Sequence, residues 1–183
     1  SITSSSDSAS CYGGNDGTAT VTVSGGTPSY NYLWKNTTGD TVSTTATADS
    51  LTADTYTCIV TDTNECDTTV TIVVLQPDSL IITLSFDSVS CNGDNDGTAT
   101  VTASGGTAPY TYLWNDPLAQ TTATATMLSV GTYNCIVDDV NSCGPVTDTI
   151  TVLEPIALTI DTIFSSSISC YDGNDGTATV TAS

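Results

Sequence analysis

Along most of the chain, apolar and polar residues alternate with a period of two. In Thr18-Ala-Thr-Val-Thr-Val23 the alanine and valines fall on one side and the threonines on the other, the pattern of a strand with one buried face. Ser24-Gly-Gly-Thr-Pro28 reads as a turn, because glycine and proline punctuate strands. Tyr30, Tyr32 and Trp34 then share one face of the next strand. The polar stretch 35–48 holds one or two short strands. Tyr56, Cys58 and Val60 alternate inward, 62–65 turns, and 70–75 runs back. A further strand precedes each first cysteine, at 2–10 and 80–89. About seven short strands with turns roughly every 8–12 residues predict an immunoglobulin-like sandwich.

The pattern repeats. The segment from Cys11 to Ser24 returns from Cys91 to Ser104, 80 residues on, and again from Cys170 to Ser183, a further 79. Tyr32-Leu-Trp34 matches Tyr112-Leu-Trp114, Tyr56–Val60 matches Tyr133–Val137, and Cys66 matches Cys143. The last two matches lie only 77 residues apart, so one connecting loop of the second unit is three residues shorter. Gln76-Pro77 and Glu154-Pro155 mark the junctions. The reading is all-β, with tandem sandwiches of about 79–80 residues: a first repeat at 1–76, a second at 77–154, and a partial third at 155–183 with only its first two strands. Two strands cannot bury a core. The chain is therefore expected to be a window on a longer repeat array. The missing strands would come from the following polypeptide or from a neighbouring subunit. Trp34 and Trp114 are expected in the cores, and Tyr56 and Tyr133 as tyrosine corners packed by Leu51 and Leu128.

Composition narrows the function. One basic residue, Lys35, against 20 acidic ones gives a formal charge of −19, which repels nucleic acid and anionic membrane surfaces. No apolar run is long enough to span a membrane. Histidine is absent, no serine sits in a nucleophile elbow, and the acids are scattered in turns. No catalytic residue is assigned, and the chain reads as a non-enzyme. Seven cysteines without a CxxC pair point to an oxidising, secreted setting. At least one disulfide is expected per complete unit.

The string Ser90-Cys-Asn-Gly-Asp-Asn-Asp-Gly-Thr-Ala-Thr-Val-Thr-Ala-Ser-Gly-Gly-Thr-Ala-Pro-Tyr-Thr-Tyr-Leu-Trp114 resembles the SprB-type repeat, as does the passage from Gly131 to Cys143. The resemblance implies a PKD-like immunoglobulin fold. It also implies a place in large, tandemly repeated surface adhesins of Bacteroidota, gliding-motility adhesins among them, exported by the type IX system. Cell adhesion or a stalk or filament is the implied role, at the cell surface, with neighbouring repeats or identical subunits as partners. The alternative is a glycan-binding module using the tips around Tyr30 or Tyr110. Cys58 and Cys135 depart from the family, which usually has an apolar residue there.

The remaining candidates are modification and ion sites. Asp94, Asp96, Asp172 and Asp175 surround glycines as half a calcium loop would. Asn-Asp-Gly is equally the chemistry of a tight turn, because asparagine and glycine tolerate positive φ. Ten aspartates are followed directly by Ser or Thr. In several the next residue is small or aliphatic, resembling a Bacteroidota O-glycosylation motif with acceptors Ser8, Thr41, Ser50, Ser79, Ser88, Thr149 and Thr162. Asn36-Thr-Thr38 is an N-glycosylation sequon. Disulfide candidates are Cys11, Cys58, Cys66, Cys91, Cys135, Cys143 and Cys170. The first and third cysteines of a unit stand on the order of 20 Å apart along an extended strand, beyond disulfide reach. Either the first cysteine of one unit meets the turn cysteine of the next, or odd thiols stay free or bridge chains.

Overall fold

The computed structural model describes residues 1–183. The first repeat has seven antiparallel strands. One sheet takes β1 (Ile2–Asp7), β2 (Gly17–Val23) and β5 (Thr47–Leu51) in the order β1-β2-β5. The other takes β3 (Asn31–Lys35), β4 (Thr41–Ser43), β6 (Asp54–Thr61) and β7 (Asp67–Val74) in the order β4-β3-β6-β7. Successive strands switch sheets three times, between β2 and β3, between β4 and β5, and between β5 and β6. That connectivity is the immunoglobulin-like one.

The period-two pattern sets which side chains meet. Ala19, Val21, Trp34, Ala48, Leu51, Tyr56, Cys58, Val60, Ile72 and Val74 form one core cluster. Trp34 is completely buried, and its indole N–H donates to the Thr45 carbonyl at 2.8 Å, so the ring enters the core without leaving a donor unpaired. Tyr56 Oη donates to the Thr52 carbonyl four residues upstream at 3.0 Å, and Tyr133 Oη to the Ser129 carbonyl at 3.0 Å. Both are tyrosine corners, closing the turn that enters the penultimate strand. Cys58 and Cys135 are fully buried. They fill the apolar place as small hydrophobes, and burial pushes both thiols up from their ordinary range.

The second repeat has six strands. One sheet is ordered β11-β9-β8, with β8 (Ile81–Asp87), β9 (Gly97–Ser104) and β11 (Thr124–Leu128). The other is ordered β10-β12-β13, with β10 (Thr111–Trp114), β12 (Gly131–Asp138) and β13 (Val146–Val152). No strand matches β4. The shortened loop instead wraps around Asp116, whose carboxylate accepts the Leu118 and Gln120 amide N–H groups and the Gln120 side-chain amide at 2.9–3.0 Å. Burial pushes this carboxyl up, but those donors more than offset it, and its pKa lies below the usual value. The partial third repeat is a two-stranded hairpin of β14 (Ile160–Ser166) and β15 (Thr177–Ala182).

Residues Ser1–Thr83, Thr102–Leu113 and Cys135–Asp148 form one compact unit. Leu84–Val101, Trp114–Asn134 and Thr149–Ser183 form another. Cys11 and Cys143 fall in the same unit.

Candidate functional site

Each repeat presents two chemically active segments, a cysteine loop between its first two strands and a cysteine turn before its last. The loop is built the same way three times. The aspartate of Asn-Asp-Gly accepts the amide N–H of the serine six residues earlier: Asp16 from Ser10, Asp96 from Ser90 and Asp175 from Ser169, each at 2.9 Å. Hydrogen bonding from these serines, side chain first, holds all three carboxyls below the usual aspartate value. Inside the loop, the N–H of Gly14, Asp94 and Gly173 returns to the carbonyl of Cys11, Cys91 and Cys170. In the full repeats a side chain from the end of the last strand braces the loop. Gln76 Oε1 accepts the Gly13 N–H at 2.8 Å, and Glu154 Oε2 the Gly93 N–H at 3.0 Å.

The glycine of Asn-Asp-Gly has a different role from the one expected of it. Positive φ falls at Gly13, Gly93 and Asp172, not at Gly17 or Gly97. Gly17 and Gly97 are needed for space. A Cβ on Gly17 would stand 2.6 Å from Val74 Cγ1 and 2.8 Å from the Leu51 carbonyl, and Gly97 meets Val152 and Leu128 in the same way. Of the four candidate aspartates, Asp96 and Asp175 accept the serine N–H groups, and Asp172 is the positive-φ residue of the third loop. Asp94 Oδ2 accepts the Ser90 hydroxyl at 3.4 Å, and no three acidic, His or Cys side chains gather as a cation site.

The turn is an aspartate knot. Asp62 Oδ1 accepts the N–H of Asn64 (2.8 Å) and Cys66 (3.0 Å), while Oδ2 accepts that of Thr27 (3.0 Å). Asp139 repeats it with Asn141, Cys143 and Thr107 at 2.9–3.1 Å. The Thr27 and Thr107 amides are the foremost cause of the lowered pKa of each carboxyl. The Gly-Gly turn makes this contact possible. A Cβ on Gly106, which has φ +59°, would lie 2.9 Å from Asp139 Oδ2.

Loop and turn meet once in the chain. Cys11 and Cys143 form a disulfide, with Cα atoms 5.3 Å apart and 132 residues of separation. Asn141 Nδ2 donates to the Ser10 carbonyl at 2.9 Å beside it. The bond joins the loop of the first repeat to the turn of the second, and there is one such bond where one per unit was expected. Cys58 and Cys135 are buried thiols, and Cys66, Cys91 and Cys170 are exposed ones.

The other candidates lie apart from this site. Ser8, Thr41, Ser50, Ser79, Ser88, Thr149 and Thr162 are all exposed. Asn36 is half-buried, and its Oδ1 accepts the Thr38 hydroxyl and the Asp40 N–H, both at 2.8 Å. Tyr30 and Tyr110 are half-buried, their hydroxyls donating to the Gly25 and Gly105 carbonyls at 2.8 and 2.6 Å. Sequence reasoning missed the aspartate caps at Asp16, Asp62, Asp116 and Asp139. Their signal was present for the loop, as Ser-Cys followed at fixed spacing by Asn-Asp in all three copies.

Fold and site define a class, a chain of tandem immunoglobulin-like β-sandwiches carrying paired cysteine loops and turns. The SprB repeat family matches it over residues 3–39 and 83–119, the leading part of each full repeat. No curated protein matches the chain. Among solved structures, the three N-terminal domains of the bacteriophage RB49 Highly Immunogenic Outer Capsid protein (Hoc) align with a TM-score of 0.59 at 18% identity. That alignment covers 100% of this chain and 68% of the phage chain. The amphioxus IgVJ-C2 molecule aligns at TM-score 0.35 and 15% identity, over 71% of this chain and 91% of its own. A biofilm associated protein BSP domain aligns at TM-score 0.31 and 17% identity, over 85% and 30%. The Hoc likeness is one of fold.

Proposed function

We propose that the chain is a section of the stalk of an extracellular, adhesin-type surface protein, a structural module that holds a neighbouring region away from the cell. The SprB match and the repeated sandwich support the adhesin-type reading. The observation that carries the stalk is the Cys11–Cys143 bond. It staples a loop of one repeat to a turn of the next, so tension along the chain bypasses the folded residues between them. A secreted location agrees with a bond that persists only in oxidising surroundings. The exposed Asp-Ser/Thr acceptors leave room for glycosylation of such a stalk. A glycan-binding tip has less support, because the Tyr30 and Tyr110 hydroxyls are already spent on backbone carbonyls.

Single-molecule extension tests this reading. The bond withholds the residues between Cys11 and Cys143, which at about 3.3–3.6 Å each amounts to on the order of 45 nm of contour. Pulled by its ends without reductant, the chain should lack that length, and added reductant should release it. Identical extension with and without reductant would remove the mechanical role. Saturable binding on a glycan array, abolished by Tyr110→Ala, would favour the tip instead.

A further inference from the structure

Of the ten asparagines in the chain, one precedes a glycine: Asn92, followed by Gly93. An asparagine can be attacked by its own chain when the backbone nitrogen of the next residue reaches its side-chain carbon. Glycine, with no Cβ, obstructs that approach least. Both residues are exposed, in the cysteine loop between β8 and β9. Gly93 has φ +85°, and a Cβ built on it would meet nothing within 4 Å. The pair is nevertheless held from the end of the last strand. Asn92 Nδ2 donates to the Pro155 carbonyl at 3.2 Å, and the Gly93 N–H donates to Glu154 Oε2 at 3.0 Å. All four residues belong to one compact unit.

The other loops lack this arrangement. Tyr12-Gly13 and Tyr171-Asp172 stand at the same places. In the first repeat the Gly13 N–H is braced by a neutral group, Gln76 Oε1, at 2.8 Å. In the second repeat the brace is a carboxylate, set within proton-transfer distance of the nitrogen that would have to attack. Asn15, Asn95 and Asn174 are as exposed as Asn92, but each is followed by an aspartate. They supply a comparison matched for exposure within the same molecule.

We propose that Asn92 is a self-modification site, where the folded loop converts the asparagine to aspartate and isoaspartate with Glu154 as general base. The inference goes beyond the stalk reading and stands without it. Glu154 takes the Gly93 N–H proton, and the nitrogen bonds to Asn92 Cγ. The Cγ–Nδ2 bond breaks, and Nδ2 leaves with the transferred proton as ammonia, closing a five-membered succinimide. One water then opens the ring. Addition at Cγ gives aspartate, and addition at the main-chain carbonyl gives isoaspartate, with the chain rerouted through Cγ. The balance is one water consumed and one ammonia released, with no oxidant. The product bears a carboxylate where an amide donated, so the Pro155 carbonyl loses its donor and a second negative charge stands beside Glu154. Like charges at this range repel, and the loop of the second repeat should loosen from its strand end.

The test ages the whole chain at neutral pH and physiological temperature, with peptide mapping by mass and enzymatic methylation to count isoaspartate. Asn92 should be the main site, converting at least several-fold faster than Asn15, Asn95 and Asn174. Glu154→Gln gives the second repeat the brace that Gln76 provides in the first. It keeps an acceptor for the Gly93 N–H and removes the base, so it should slow conversion several-fold with the fold unchanged. Tyr12→Asn with Gln76→Glu transplants the arrangement, and the first loop should then deamidate several-fold faster than with Tyr12→Asn alone. In urea, where Glu154 no longer meets Gly93, the Asn92 rate should fall. Conversion of Asn92 no faster than that of the three comparison asparagines would overturn the proposal. So would a Glu154→Gln rate equal to wild type, or faster conversion in urea, which would mean that the folded loop protects the site.

Discussion

The hairpins β1–β2 and β14–β15 share their loop and second strand nearly residue for residue, in opposite surroundings. Both are antiparallel, and both pair the aligned residues alike, Asp7 with Thr18 in one and Ser166 with Thr177 in the other. Both close through the same Ser–Asp clamp. Yet Val21 is 2% exposed and Val180 is 59% exposed. The second strands differ in what covers their apolar face, and the first strands also in sequence, with Ser4 and Ser5 where the third copy has Ile163 and Phe164. In the first repeat Trp34, Leu51, Tyr56 and Val60 arrive from strands far along the chain; in the third, Ile163, Phe164 and Val180 face solvent. Pairing and loop shape are local properties of this sequence, and core formation is not.

The largest break in that comparison comes from the covering side. Trp34→Ala removes the largest buried side chain of the first repeat and should cost roughly 3–5 kcal/mol, a large share of what holds so small a unit together. Denaturant unfolding followed by tyrosine fluorescence and amide NMR should show the first repeat collapsing. The β14–β15 amides should keep their shifts. If the variant unfolds within about 1 kcal/mol of wild type, Trp34 is not the keystone of that core.

A milder change places the same substitution on both hairpins. Val21→Ala deletes two buried methyl-sized groups and should cost about 2 kcal/mol. Val180→Ala, on an exposed face, should lie within about 0.5 kcal/mol of wild type. Equal effects in urea melts would mean that the exposed hairpin is covered in solution.

The same division explains what could be read from the sequence. Period-two alternation identified the strand face of Ala19 and Val21, and the recurrence of Trp34 and Tyr56 placed them in a core, because burial follows from periodicity and the repeat. The loss of β4 from the second repeat was visible only as a three-residue shortening. Nothing in the pattern indicated that Asp116 would replace a strand edge by gathering amide donors around a buried carboxylate. Gly17 was legible as a special position but for the wrong reason, since its constraint is the approach of Val74, a residue 57 positions away. Among the cysteines, spacing excluded a bond between the loop and turn of one unit and left the partner open. A pairing 132 residues apart depends on where two repeats place their ends, which no local pattern records.

The smallest effect sharpens the comparison most, because it tests whether the loop is autonomous. Asp16, Asp96 and Asp175 all have folded pKa values below the ordinary 3.8, caused foremost by the serine side chains they hold. A carboxyl depressed by folding contributes its stabilisation above the unfolded value and loses it as pH falls through the folded one. The clamp should therefore be fully in place above about pH 4 and open progressively below the usual aspartate range. The amide proton shifts of Ser10, Ser90 and Ser169 report this directly, since each donates to its aspartate. All three should titrate with midpoints below 3.8, and Ser169 should follow the other two although its hairpin has no core. Titration of Ser169 at the ordinary aspartate value, with Ser10 and Ser90 shifted, would mean that packing rather than local sequence holds the loop.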